Sequence, residues 1–195
     1  MREATMNWQG ALEELMAGNR RYAAGELSHP NATPKRREEL QEGQNPFAIV
    51  LGCSDSRVPP EILFDRGQGD LFVIRVAGNV IDDIVLGSIE YAALHLATPL
   101  VLVLGHSSCG AVAAARAGGE LEGHLPFIAE ALRPALSDVG DAPHAAEKSN
   151  ARYVAAQLES SGKRFAELAT ESSLKIFPAF FDLKTGLVEI LDKGD

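Results

Sequence analysis

The chain has 195 residues, 46% of them apolar, and its 18 Lys and Arg stand against 27 Asp and Glu for a formal net charge of −9. That length suits one domain with a sizeable core, and the composition excludes disorder along the whole chain. The acidic balance argues against nucleic acid or an anionic membrane surface as the partner. There are only two cysteines, Cys53 and Cys109, too few for a secreted disulfide scaffold of this size. Met1 to Gly10 lacks the basic-then-apolar layout of a leader, and no apolar run reaches the roughly 18 residues of a membrane span. The expectation is a cytoplasmic, reduced protein with no membrane segment.

In chain order, Asn7 to Gly25 carries Trp8, Leu12, Leu15, Tyr22 and Ala23 at mostly helical spacing, with Arg20 and Arg21 late in the helix where the dipole favours them. Thr33-Pro34 reads as an N-cap followed by proline in the first turn, and Gly43 as the stop. Residues 1–44 are thus expected to form a helical arm with no strand of its own, packing on a neighbouring subunit, and residues 45–195 the α/β body. In that body Phe47–Leu51 and Pro99–Leu104 are continuous apolar runs, the pattern of strands buried on both faces of a parallel sheet. Leu71–Val76 makes a strand between them, and Asp82–Leu96, opened by two carboxylates, a crossover helix. Helices follow around Ala111–Ala117, Gly123–Leu136 and Ala145–Leu168; a strand, a turn and a short strand over Leu174–Phe181, Asp182–Gly186 and Leu187–Leu191 close the chain. The fold class is α/β, a mostly parallel sheet of four to five strands flanked by helices.

In such sheets ligands bind beyond the carboxyl ends of the strands. There the sequence places Cys53-Ser-Asp-Ser-Arg57 after one apolar strand and His106-Ser-Ser-Cys-Gly110 after the other. Cys53, His106 and Cys109 offer two thiolates and an imidazole, a donor set that suits Zn²⁺, and a catalytic zinc keeps three protein ligands and one open position. A lone free cysteine is more often a small buried residue than a ligand, and His-x-x-Cys is a weak signal by itself. The coincidence of both cysteines at strand ends, one a helical turn from a histidine, favours the metal. Asp55 either completes the tetrahedron or stands off it in a bidentate pair with Arg57, or it caps the short helix announced by Pro59-Pro60.

These residues resemble a β-class carbonic anhydrase. Cys53-Ser-Asp-Ser-Arg57, Arg75-Val-Ala-Gly-Asn79, Gly87-Ser-Ile-Glu-Tyr91 and Gly105-His-Ser-Ser-Cys-Gly-Ala111 stand in that family's order, and the likeness runs over most of the chain to Phe181–Gly186. The resemblance implies reversible hydration of CO₂ to bicarbonate and a proton by zinc-bound hydroxide, in a homo-oligomer, a dimer or tetramer. Residue by residue it implies Cys53, His106 and Cys109 as zinc ligands, and Asp55 with Arg57 as a gating dyad. Backbone N–H groups near Gly110 are placed to receive the developing oxyanion. The resemblance also implies that Val76, Ala77, Gly78 and Tyr91 line a narrow apolar cleft, with Tyr91 reaching in from the partner, and that either Arg66 or Gln68 takes the place of a substrate-binding glutamine. Val50 and Phe181 replace a tryptophan and a tyrosine that accompany bicarbonate inhibition in part of the family, although Arg75 is retained, which favours an open site. None of His29, His95, His124 and His144 stands out as a proton shuttle. The alternatives are hydrolysis of COS or CS₂ on the same zinc site, and a non-catalytic module stabilised by zinc.

Overall fold

The computed structural model describes residues 6–137, 139–162, 167 and 173–192. Five strands form one sheet in the order β2-β1-β3-β4-β5: β1 Ala48–Gly52, β2 Leu71–Arg75, β3 Leu100–His106, β4 Lys175–Phe181 and β5 Val188–Ile190. The first four run parallel and β5 returns antiparallel to β4. Both β1 and β3 are buried along their whole length, which is why each reads as an unbroken apolar run. The edge strand β2 is only half-buried. Two apolar layers flank the sheet, one centred on Val50, Leu102, Leu104 and Phe181, the other on Ile49, Leu51, Val103 and Ile176.

Among the described residues there are seven α-helices, most of them packed on these faces: α1 Trp8–Ala24, α2 Pro34–Glu39, α3 Pro60–Leu63, α4 Asp83–Glu90, α5 Gly110–Ala117, α6 Leu125–Leu136 and α7 Ala145–Ser160. The start signals behave as their chemistry requires. Asn7 Oδ1 accepts the Gly10 N–H at 2.9 Å, Thr33 caps Arg36, and Asp82 caps Val85 at 2.8 Å. The expected helix to Leu168 is described as far as Ser160, and residues 163–166 and 168 lie outside the described residues. The crossover helix does not continue as one α-helix to Leu96: after Glu90 the backbone widens into a π-helical turn over Tyr91–His95.

α1 packs on its own chain: Ala11 and Leu15 are fully buried in the layer that holds Val50 and Leu102. Gly18 makes the contact possible, since a Cβ there would stand 1.7 Å from the Phe64 carbonyl oxygen. The buried Asn19 finishes it, donating to Leu63 O and Gly186 O and accepting from Val188 N. α2, by contrast, buries none of its residues.

Candidate metal centre

The sheet order makes the site. β1 is followed across the sheet by β2 on one side and by β3 on the other, so the crevice beyond the β1 and β3 ends is the switch point of the fold. Cys53 stands one residue past β1, His106 ends β3, and Cys109 caps α5. Their ligand atoms lie within 4.8 Å of one another, and their residues are 5%, 1% and 2% exposed.

The donor set passes the chemical test for a metal. Cys53 Sγ and Cys109 Sγ are 4.0 Å apart, against about 3.8 Å for two thiolates at tetrahedral angles around zinc. His106 Nδ1 meets the Ser107 carbonyl at 3.0 Å, which puts the ring proton on Nδ1 and leaves Nε2 as a lone pair. That Nε2 is buried and has no hydrogen-bond partner among the described residues. An imidazole nitrogen free to donate its lone pair beside two thiols is the donor set of a three-ligand zinc site. Each sulfur also has backbone amides near it. Gly78 N–H donates to Cys53 Sγ at 3.3 Å, and the Val112 and Ala111 amides at the head of α5 face Cys109 Sγ. The two thiols act on each other: donation from Cys109 holds Cys53 below the ordinary thiol value, and the same bond together with burial pushes Cys109 up.

Asp55 stands off this group. Arg57 takes both carboxylate oxygens in a fork, Nε to Oδ1 at 2.9 Å and Nη2 to Oδ2 at 2.7 Å, and its backbone N–H adds a third bond at 2.9 Å. The Arg57 bonds hold Asp55 well below the usual carboxylate range, so it is an anion that only accepts. The same Nη2 reaches Ser108 O at 3.1 Å, tying the β1 loop to the β3 loop. Arg75 clamps the first loop from beneath through Cys53 O and Asp55 O. Asp55 does not cap α3, whose N-cap Pro59 has no side-chain bond.

Of the residues expected around this centre, Gly78 touches Cys53 directly, while Val76 and Ala77 lead into the same turn, both half-buried. Gly110 is exposed at the head of α5 with nothing within 4 Å of where a Cβ would stand. Gln68 is not brought to the centre of its own chain. It precedes β2 by three residues, at the end of the sheet opposite Cys53, and a five-residue strand spans about 16 Å. Arg66 is turned away as well, bonded to Glu14 and lying over the Phe47 ring. Tyr91, 49% exposed, stands against Phe72 on the edge strand and against His95. Val50 and Phe181 are core residues. His124 stacks on Phe127, His144 lies tilted against Phe180, and His29 is bound through its backbone to Asp65. Sequence reasoning missed Asn150, whose side chain reaches Gly78; an asparagine on an otherwise apolar helix face was the available signal.

An open parallel sheet with two cysteines and a histidine gathered at its switch point defines a three-ligand metal-site protein of the zinc type. The comparisons narrow that class. A family model described as carbonic anhydrase matches residues 48–188. A carbonic anhydrase of Mycolicibacterium smegmatis is 50% identical over 131 residues, 65% of this chain and 63% of that protein. One from Pseudomonas aeruginosa is 32% identical over 171 residues, 80% and 77% of the two chains. Among solved structures, one of the tetrameric β-carbonic anhydrases of Sordaria macrospora superposes with a TM-score of 0.74 at 26% identity, covering 92% of this chain and 96% of that one. The chain belongs to the carbonic anhydrase family, in its β class. The match to the mycobacterial relative spans under two thirds of that protein's length.

Proposed function

We propose that this protein catalyses the reversible hydration of CO₂ to bicarbonate and a proton, with zinc held by Cys53, His106 and Cys109. The observation that carries the reading is the unpartnered His106 Nε2 facing two thiols while Arg57 keeps Asp55 out of the ligand group. Zinc held there would lower the pKa of a coordinated water to about 7 and so supply a nucleophile at neutral pH.

The chain's own groups do the rest. Asp55, held as an anion by Arg57, accepts an O–H from the reacting water and orients it. Arg57 is committed by its fork to Asp55 and by Nη2 to Ser108, so the acceptor does not swing onto the metal. Val76, Ala77 and Gly78 give an apolar wall, which suits an uncharged substrate. The head of α5 at Gly110 presents backbone amides where negative charge grows on the substrate oxygen. Tyr91 and Gln68 lie away from their own centre, on the side of the edge strand β2. We therefore propose a homo-oligomer, a dimer or tetramer as in the tetrameric Sordaria enzymes, in which they face a neighbour's centre. The two free thiols fit a cytoplasmic location, which cell fractionation tests.

Zinc analysis with stopped-flow CO₂ hydration tests the activity: one zinc per chain and hydration well above the uncatalysed rate are expected. Stoichiometric zinc with no hydration at neutral or alkaline pH would refute it, and faster turnover of COS or CS₂ than of CO₂ would reassign the substrate.

A further inference from the structure

Asn150 lies on α7 and is 1% exposed, on a face otherwise made of Ala146, Ala151, Val154, Ala155 and Leu158. A buried amide among such neighbours is costly unless its partners are supplied. It has one: Nδ2 donates to the Gly78 carbonyl at 2.8 Å, while Oδ1 finds no partner among the described residues. Only the amide nitrogen bonds a carbonyl, so the orientation of the side chain is forced. Packing alone favours an apolar residue here, and the single bond that Asn150 makes leads straight to the metal centre.

Gly78, with φ 70° and ψ 13°, is left-handed in the Ala77–Asn79 turn, as is Asn79 after it with φ 44°. Its own N–H donates to Cys53 Sγ at 3.3 Å. α7 therefore grips Gly78 by its carbonyl while the cysteine sulfur takes its amide. The turn is pinned on either side by Val76 N–H to Gly52 O at 3.1 Å and Asn79 N–H to Val76 O at 2.9 Å. Glycine is the residue whose backbone has the freedom to turn away, and Asn150 holds it from the far side.

We propose that Asn150 is a positioning residue for the metal centre: by holding the Gly78 carbonyl it aims the Gly78 N–H at the Cys53 sulfur, and so fixes the orientation of that ligand. The proposal rests on the zinc reading of Cys53, His106 and Cys109. Its first readout, however, is independent of metal.

The test compares wild type, Asn150→Leu, the milder Asn150→Ser, and Val154→Ala as a control that thins the same helix face. Amide exchange at Gly78 is followed by NMR in the metal-free and zinc-loaded proteins, and the zinc dissociation constant by competition with a chelator. Both Asn150 variants are expected to exchange Gly78 about tenfold faster than wild type, beyond any loss of global stability, and to bind zinc about 10–100-fold more weakly. Val154→Ala lowers the melting temperature but leaves both readouts near wild type. Gly78 protection and zinc affinity in the Asn150 variants within about twofold of wild type would overturn the proposal, as would a control that reproduces their changes. Where Asn150→Leu fails to fold, Asn150→Ser carries the comparison. Should wild type bind no zinc, the zinc reading falls, and Gly78 exchange in the metal-free variants still decides the role of Asn150.

Discussion

Two aspartates of this protein form ion pairs of nearly the same chemistry and different design. Asp65 is completely covered, its side chain 0% exposed, and accepts from Arg21 Nε at 2.6 Å, Ser28 Oγ at 2.6 Å, Ser28 N at 3.0 Å and His29 N at 2.9 Å. These donors come from α1 and the segment after it, so the carboxylate staples the N-terminal helix to the body. Asp55 takes all three of its bonds from Arg57, two residues along the same loop, and the Arg57 side chain is 50% exposed. Both carboxyls sit below the usual range. For Asp65 the cost of burial is overcome by the Ser28 and Arg21 bonds, and for Asp55 the Arg57 bond dominates. The number and origin of the donors separates the two. A carboxylate held by three separate residues from another part of the chain locks a structure, whereas one held by a near neighbour is free to act without disturbing the fold.

The largest effect expected from this contrast is at the site. Asp55→Ala should lower CO₂ hydration about 10²-fold or more, keep zinc by metal analysis, and leave the melting temperature within about 2 °C of wild type. A non-catalytic module would show no activity to lose. Asp65→Asn should do the reverse, costing about 3 kcal/mol in denaturant unfolding because it leaves a covered set of donors unpaired, while the folded fraction keeps its turnover number. Arg57→Lys comes next: lysine makes neither the fork nor the simultaneous bond to Ser108 O, and about tenfold in turnover is expected to go with it. The smallest effect is with pH. Because Asp65 is lowered in the folded state, its contribution is complete above about pH 4 and drains away as the pH falls below that value. Acid unfolding of Asp65→Asn should therefore be shallower than that of wild type, and Asp55→Asn should change it less because its partner Arg57 is half exposed and the pair is screened by water. Equal acid slopes in the two variants would break the contrast.

Much of this was written in the sequence. The strands β1 and β3 announce themselves because burial on both faces keeps polar residues out of them up to His106 at the end of β3, and the ligand triad follows because both loops leave the same end of a parallel sheet. The Asp55–Arg57 fork was one of three readings of a short motif, and only coordinates show the carboxylate turned from the sulfurs to the guanidinium. The π-helical turn at Tyr91 has no residue pattern that announces it; it ends in a bond from Thr98 N–H to the Ala92 carbonyl. The docking of α1 was illegible for a related reason. Gly18 and Asn19 are poor core residues by type, and their value appears only when the Phe64 carbonyl and the β5 amide arrive to meet them. Asn150 belongs with them, a polar residue whose partner is 72 positions away.

The spacing of the two cysteines, 56 positions apart across the β1 and β3 seam, carries a consequence beyond catalysis. An ion bound to both closes a long chain loop, and a covalent link of that span would restrict the denatured ensemble by about 4 kcal/mol. Here the tie is coordinate, so its strength follows free metal concentration, rising by about 1.4 kcal/mol for each tenfold excess over the dissociation constant. The protein thereby has the thermodynamic equivalent of a disulfide that works in a reducing environment, governed by metal supply in place of redox potential.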